Sequence, residues 1–149
     1  MAISMEFEAK WQELQNSIKH QMISRSYRGS QELRNAAVDE VLKGNGGGRR
    51  YRVPGTKQYY TASAPGEPPA NRTGLFRISW HPNAKIGASG SGFSVISEIE
   101  NNVRVGKKGY LLGELLEEGT SKMAPRPHHE RIQEAALPDI MRIYNEPYF

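Results

Sequence analysis

The sequence predicts an α+β domain in which a small mixed or antiparallel sheet is flanked by an N-terminal and a C-terminal helix, with a long Gly/Pro-rich loop. Two observations carry this prediction. Apolar residues recur every three or four positions near both ends of the chain, as they do on one face of a helix. Between residues 75 and 105 the apolar period is two, which is typical of strands with one buried face. We expect residues 1–149 to form a single domain.

The N-terminal helix is predicted from about Glu6 to Ile23, and Ser4 can cap its start. Its apolar residues form one stripe, and the charged residues lie largely off it. The stripe consists of Phe7, Trp11, Leu14, Ile18 and Met22. We expect the stripe to pack on the sheet; the alternative is that Trp11 and its neighbours dock onto a neighbouring subunit.

A second helix is predicted after a break in the chain. Residues 24–30 are polar and include a glycine, so we expect the first helix to end or kink there. Ser30 can cap the second helix and Gly44 can end it. Its inward-facing residues are predicted to be Leu33, Ala37, Val41 and Leu42.

The segment from Gly44 to Gly74 shows no periodicity and is predicted to be one long flexible loop. Loops of this length in a compact domain are usually functional or disordered. Its first half is both basic and aromatic, through Arg49, Arg50, Tyr51, Arg52, Tyr59 and Tyr60. This composition favours a solvated loop whose tyrosines pack on the body or on a partner. The alternative is a loop that contacts nucleic acid through charge and stacking.

The period-two region predicts four short strands. These are residues 75–80, with Phe76, Ile78 and Trp80 on one face, and residues 84–87, 93–100 and 103–105. The connections are predicted to be turns at 81–83, 101–102 and 106–109 and a flexible loop at 87–92.

The C-terminal part predicts two further elements. Residues 110–118 are expected to form a short helix or an extended turn. After a proline-rich run, residues 129–145 are expected to be helical, and Pro138 should kink or restart this helix. The residues on its apolar face are Ile132, Ala136, Ile140 and Ile143.

The residue types give no indication of a catalytic centre. The chain contains no cysteine, so disulfides and thiolate metal sites are excluded. His128 and His129 are predicted to be surface residues, because adjacent residues on a helix do not face each other. The acidic pairs Glu117–Glu118 and Glu98/Glu100 are expected to be solvated or to form salt bridges. We therefore predict no catalytic residues, no metal, no cofactor and no enzymatic activity.

Charge and hydropathy limit the classes of partner that we expect. The chain has 20 basic and 16 acidic residues and a net charge of +4, a mild and mixed charge that is typical of a solvated surface rather than of a nucleic-acid footprint. No run approaches the roughly 18 apolar residues of a membrane helix. The first residues lack the pattern of a secretory signal, so we expect a protein of a reducing cytoplasm without membrane contacts.

Two separated segments together resemble one protein family. The first reads Y-T-A-S-A-P-G-E-P-P-A and continues to T-G-L, from Tyr60 to Leu75. The second contains G-T-S-K-M and R-P, from Gly119 to Pro127. In this order, between an N-terminal and a closing helix, they resemble the tail-completion (neck or minor tail component) proteins of tailed bacteriophages. Glu118 and His128 stand where that family usually has aromatic residues.

The resemblance implies a structural virion protein of the head–tail junction, made in the host cytoplasm and assembled as a ring at the head-proximal end of the tail. It implies contacts with head-closure or connector proteins and with tail terminator or tail tube proteins. DNA would pass through the channel without sequence recognition. The residues expected at subunit or partner contacts are Gly119, Thr120, Ser121, Lys122, Met123, Arg126 and Pro127.

Two alternatives stay open at this point. Arg126 is expected either to pair with a partner's carboxylate or to tie its own chain together. The basic aromatic loop is expected to contact DNA or a neighbouring subunit if the protein forms a ring. If it does not, the alternative function is a non-specific nucleic-acid-binding module that uses residues 49–60.

Overall fold

The computed structural model describes residues 2–44, 46–89 and 92–148, and it confirms the predicted α+β class. The helices are α1 (Ala2–Asn35), α2 (Leu75–Ile78), α3 (Leu112–Glu118) and α4 (His129–Tyr144), and a π-helical turn (Ala36–Val41) continues α1. The strands are β1 (Arg50–Arg52), β2 (Tyr59–Thr61), β3 (Trp80–Ser89), β4 (Gly92–Asn101), β5 (Arg104–Val105) and β6 (Tyr110–Leu111). In the described ranges the strands form three antiparallel pairs, β1–β2, β3–β4 and β5–β6.

Helix α1 is continuous, so the predicted break between two N-terminal helices is wrong. Ser26 and Ser30 in this stretch are buried and have partners: Ser26 Oγ donates to Ile96 O at 3.0 Å, and Ser30 Oγ donates to Ser26 O at 2.9 Å. A Cβ on Gly29 would lie 2.5 Å from Ser97 Oγ. The small residues therefore mark a close approach of the helix to β4, and they do not end the helix.

The N-terminal stripe is only partly covered. Leu14, Ile18 and Met22 are half-buried, whereas Trp11 is 53% exposed. The Phe7 side chain lies outside the described part of the chain. The predicted packing of this stripe on the sheet therefore does not extend to Trp11.

The long hairpin β3–β4 replaces two predicted connections. Residues 81–83, predicted as a turn, lie within β3, where Pro82 faces Ile99 of β4. Proline is tolerated there because β3 pairs on one side only among the described residues, so its outer edge needs no ladder bond. Most of the predicted loop at 87–92 is also strand; residues 90 and 91 lie outside the described residues.

Residues 75–78 form the short helix α2 rather than the predicted strand. Gly74 has φ 83° and turns the chain, and Ser79 N donates to Leu75 O at 3.1 Å to close one helical turn. Asn101 Nδ2 donates to Phe76 O at 2.8 Å and holds the turn against the end of β4. Phe76 and Trp80 thus share the inward face at a spacing of four, and Ile78, predicted to face inward with them, is exposed.

The segment predicted as one long loop contains the hairpin β1–β2, in which Tyr51 pairs with Tyr60. The strand predicted at 103–105 pairs with β6 and not with β4. The intervening turn at 106–109 is confirmed, with φ 75° at Gly106 and φ 70° at Gly109.

The core is small and lies where the end of α1, the start of β3 and helix α4 meet. Its buried residues are Ala36, Ala37, Leu42, Trp80, Ile132 and Ala136. Ala37 and Leu42 are buried, as predicted for the second helix, and so are Ile132 and Ala136 of α4, whereas Leu33, Val41 and Ile140 are half-buried at the edge of the core. Helix α4 continues through Pro138 without ending there. No helix among the described residues combines the length and the apolar character needed to span a bilayer.

The C-terminal residues are tied back to the middle of α1. Arg25, which is 4% exposed, donates to Tyr144 O at 3.1 Å and to Pro147 O at 2.9 Å. Its guanidinium also lies 3.9 Å from the centre of the Tyr148 ring. The buried Arg25 thereby joins the C-terminal residues to the middle of α1.

Candidate functional site

The two segments that carry the family resemblance pack against each other. Gly66 N donates to Pro125 O at 3.2 Å, and Arg131 Nη2 donates to Gly66 O at 2.8 Å. Sequence separation gives no reason for this contact, because about 60 residues and the sheet lie between the segments. The structure thus assembles one local surface from both.

The first segment is held in its shape by a carboxylate. Glu67 Oε2 accepts from Gly47 N and from Ala64 N, each at 2.8 Å. These two backbone hydrogen bonds are the main reason that the pKa of Glu67 lies below its ordinary value, and the nearby Arg126 and Arg131 add to the effect. The A-P-G-E turn is therefore fixed by the side chain of its own glutamate.

The second segment contains a tight hairpin turn. Gly119 ends α3 with φ 79°, and Thr120 and Met123 exchange backbone hydrogen bonds of 2.8 and 3.3 Å. Lys122 N donates to Thr120 Oγ1 at 3.2 Å, and this local hydrogen bond stabilises the turn. Ser121 and Lys122 lie at its tip and are exposed, so they are available to a partner.

Arg126 ties its own chain together, which is one of the two roles expected for it. Its backbone N donates to Leu116 O at 2.6 Å, and Nη1 donates to Ala124 O at 3.0 Å and Pro125 O at 3.3 Å. Pro127 is half-buried behind it and leads to the start of α4. Arg126 and Pro127 therefore set the shape of the segment.

His128 is completely buried, so the prediction of a surface histidine is wrong for this residue, while His129 is exposed. Its ring lies edge-on to Phe76 and Trp80, with ring centres 5.6 and 6.1 Å away. His128 Nδ1 lies 3.0 Å from both Arg126 O and Glu117 Oε2. Because both neighbours are acceptors, the ring carries its proton on Nδ1.

Glu117 caps helix α4 from a distance. Its Oε2 accepts from His128 N at 2.8 Å and from His129 N at 3.2 Å, which satisfies two donors that a helix start leaves unpaired. Burial acts to raise the pKa of Glu117, but these hydrogen bonds and the two imidazoles outweigh it, and the pKa lies below its ordinary value. Burial lowers the pKa of His128, so the contact joins a carboxylate to a neutral ring.

Glu117, His128 and His129 also form a set of three possible metal ligands, with one atom of each within 4.8 Å of the others. Sequence reasoning missed the carboxylate because Glu117 is eleven residues upstream of His128. Glu117 Oε2 already accepts hydrogen bonds from two backbone N–H groups, and His128 Nδ1 faces two acceptors. The cap of α4 accounts for the arrangement.

A groove of about 460 Å³ opens beside the packed segments. Both segments line it, together with α2, α3 and β5, and its lining is mainly apolar. Four arginines also line it: Arg72, Arg77, Arg104 and Arg126. We call it the arginine groove. The Oδ1 of Asn71, another lining residue, is buried and has no hydrogen-bond partner in the part of the chain that the structure describes.

The basic aromatic residues separate into two groups. Tyr60 is half-buried and lines the arginine groove. The others lie on an exposed hairpin surface: Arg49, Arg50, Tyr51, Arg52 and Tyr59. Arg50 lies over the Tyr59 ring at 4.8 Å, and the Tyr51 and Tyr60 ring centres are 6.0 Å apart.

Comparison with protein-family models, with curated proteins and with solved structures finds no match for this chain.

Proposed function

We propose that this protein is a structural component of the bacteriophage head–tail junction, a neck protein that completes the tail as a ring. One observation supports this best: the two sequence segments that resemble tail-completion proteins form a single packed surface. Hydrogen bonds between backbone groups and from Arg131 hold this surface together, and it presents the exposed tip Ser121–Lys122. A rigid and exposed turn suits docking, because little conformational freedom is lost on binding.

Further support comes from the roles of the ionisable groups around this surface. Glu67 and Glu117 both accept two backbone N–H groups, and Arg126 and Arg131 both donate to backbone carbonyls. These groups maintain the shape of the chain. The arrangement favours assembly through a preformed surface, with head-closure and tail proteins as partners and DNA in the channel.

The test is a nonsense mutation of the gene in the phage that encodes it. We expect filled heads and separate tails in electron micrographs of the lysate, and restoration of joined virions by the wild-type gene. Joined, infectious particles that lack the protein would overturn the proposal.

Complementation with two lysine variants tests the docking turn itself. Lys122→Glu reverses a charge at the exposed tip, and we expect fewer joined virions. Lys108→Glu makes the same change in the exposed β5–β6 turn, away from the packed segments, and should complement fully. Equal complementation by both variants would count against a docking role for the G-T-S-K-M turn.

A second candidate function, non-specific nucleic-acid binding, is favoured by the exposed hairpin β1–β2. Arg49, Arg50 and Arg52 lie beside exposed Tyr51 and Tyr59, a combination that suits phosphate contacts and base stacking. If it acts this way, replacing the three arginines by alanine should reduce the slope of log affinity against log salt by about two to three for duplex DNA. Lys107→Ala/Lys108→Ala is the matched control. A wild-type protein that does not bind DNA at low salt would remove this function.

A further inference from the structure

We propose that the arginine groove of one subunit binds the N-terminal part of α1 of a second copy, with Trp11 inserted in the groove. This inference rests on the proposed ring assembly and specifies its subunit contact. It follows from the chemistry of the groove, from the exposure of Trp11 and from the length of α1.

The groove fits an aromatic side chain that has one hydrogen-bond donor. Its lining is mainly apolar, and Leu75, which is 56% exposed, leaves apolar surface open there. Asn71 Oδ1 is a buried acceptor without a partner among the described residues. An indole ring supplies a large apolar surface for the lining and one N–H donor for the Asn71 acceptor.

The positive charge of the four arginines around the groove favours an acidic ligand. Arg77 lies 4.0 Å from Asp39, at the limit of an ion pair. In the described ranges, no carboxylate comes within 4.0 Å of Arg72, Arg104 or Arg126. Glu67 is close enough for Arg126 to lower the pKa of its carboxyl, but it is engaged with backbone donors. Arg104 and Arg126 donate to backbone carbonyls and Arg72 lies over the Tyr60 ring, so their charges are not neutralised by a carboxylate. Guanidinium groups without a carboxylate partner beside an apolar surface favour an apolar segment flanked by carboxylates.

The N-terminal part of α1 has this composition. Trp11 is 53% exposed, and Glu13 and the half-buried Leu14 follow it. Glu6 and Glu8 precede it in the sequence. Residues 2–18 contain three glutamates and one lysine, Lys10, so this part of α1 has an acidic excess although the whole helix does not. An exposed tryptophan on this part of the helix therefore matches a groove that combines an apolar lining, one free acceptor and several arginines.

The length of α1 prevents Trp11 from entering its own groove. The groove is lined by Leu42, just beyond the π-helical turn that continues α1. At 1.5 Å per residue, Trp11 and the end of α1 are about 36 Å apart along the helix axis. The contact therefore joins two different patches on two copies, a head-to-tail arrangement that generates a ring when its rotation closes.

The test uses two variants that each disable one half of the contact. Trp11→Ala removes the inserted side chain, and Leu75→Glu places a negative charge in the groove at an exposed position. We expect wild-type protein to form oligomers in sedimentation velocity over a concentration series. Each variant alone should dissociate at concentrations about 10- to 100-fold higher than the wild type. Tyr27→Ala, which removes another exposed aromatic residue of α1 (54% exposed), should behave as wild type.

Mixing the two variants gives the decisive result. Each copy then retains one intact half, so the mixture should form heterodimers at wild-type affinity and no larger species. Oligomers that persist in Trp11→Ala, or a mixture that stays monomeric, would overturn the proposal. A wild-type protein that is monomeric at every concentration would also overturn this contact, and it would leave the head–tail function to the nonsense-mutant experiment.

Discussion

At the scale of single residues, His128 is completely buried, although histidine is only intermediate in its tendency to be buried. Its ring packs edge-on against Phe76 and Trp80, as an aromatic side chain would at this place. It differs in its polar edge, which faces Arg126 O and Glu117. One ring thus joins the proline-rich segment, the cap of α4 and the core.

This burial predicts a pH dependence. The folded protein favours the neutral ring, so the pKa of His128 is lower in the folded than in the unfolded chain. Its contribution to stability is fully present above the ordinary pKa of 6.5 and is lost as the pH falls from 6.5 through the lower folded value. We therefore expect the melting temperature to fall between pH 6.5 and 5. Glu117, whose pKa is lowered, contributes stability that is fully present above its ordinary pKa of 4.5 and is lost only as the pH falls below that value, so it does not cause the change between pH 6.5 and 5.

Thermal unfolding between pH 5 and 8 checks this expectation. His128→Asn keeps a donor near Arg126 O and a good cap residue, but it cannot take up a proton, so its melting temperature should vary less in this range. His20→Asn, at an exposed position of α1, serves as the control and should keep the wild-type profile. An unchanged profile in His128→Asn would assign the pH dependence to other groups.

At the scale of secondary-structure elements, small residues decide how closely α1 approaches the β3–β4 hairpin. Gly29 faces Ser97, whose Oγ donates to Ser26 O at 2.8 Å and lies 2.9 Å from Tyr144 Oη. Ser26, Gly29 and Ser30 therefore form a contact surface without large side chains. Helix α1, strand β4 and helix α4 meet at this one place.

The contact predicts an unusual effect for a glycine within a helix. Gly29→Ala should gain about 1 kcal/mol of helix propensity in an open position, but the added Cβ would lie 2.5 Å from Ser97 Oγ. We expect a net loss of roughly 1–3 kcal/mol in the free energy of unfolding, measured in urea. Gly44→Ala, where a Cβ meets nothing within 4 Å, is the control and should be neutral. A stabilised Gly29→Ala variant would contradict the close packing.

The same contact shows what could be predicted from the sequence at this scale. The spacing of Ile132, Ala136 and Ile143 identified the buried face of α4, because packing there follows the local period. The polar stretch 24–30 predicts a break, because the partners of Ser26 and Gly29 lie on β4, far away in sequence, and sequence alone does not show them. Gly29 and Ser30 follow Ser26 by three and four positions, and small residues at this spacing indicate a helix face that another element can approach closely.

The candidate site follows the same rule. The rigidity of the segment from Gly119 to Pro127 was predictable, because glycine and proline act on the local backbone. The Glu117–His128 contact was not, since it depends on how α3 and α4 are placed. The arginine groove was not predictable either, because Arg72, Arg77, Arg104 and Arg126 come from four separate parts of the chain.

At the scale of the whole molecule, the C-terminal residues are bound to the middle of α1. Arg25 binds the carbonyls of Tyr144 and Pro147, and Gln21 Nε2 donates to Tyr148 O at 2.9 Å. The exposed Arg28 pairs with Glu146 at 2.6 Å nearby. The C-terminal residues thus fix the middle of α1, while Trp11, ten residues before Gln21, is exposed.

These contacts predict unequal effects for two arginines that are three positions apart. Arg25→Ala removes a buried guanidinium that donates to the carbonyls of Tyr144 and Pro147, and it should cost roughly 1.5–3 kcal/mol in the free energy of unfolding. Arg28→Ala breaks only a solvent-screened pair, so it should have little effect. Chemical denaturation of both variants measures the difference. A loss for Arg25→Ala as small as that for Arg28→Ala would show that the contacts of the C-terminal residues add little to the stability of the fold.

The chain's two tryptophans lie in opposite environments, and this has a practical consequence for spectroscopy. Trp80 is 5% exposed and Trp11 is 53% exposed. Emission from Trp80 should therefore be blue-shifted and should move to the red when the core opens. Emission from Trp11 starts near the wavelength of a hydrated indole and should shift to the blue only when another surface covers it. One label-free spectrum can thus follow folding and association as separate signals, with Trp11→Phe and Trp80→Phe assigning each band.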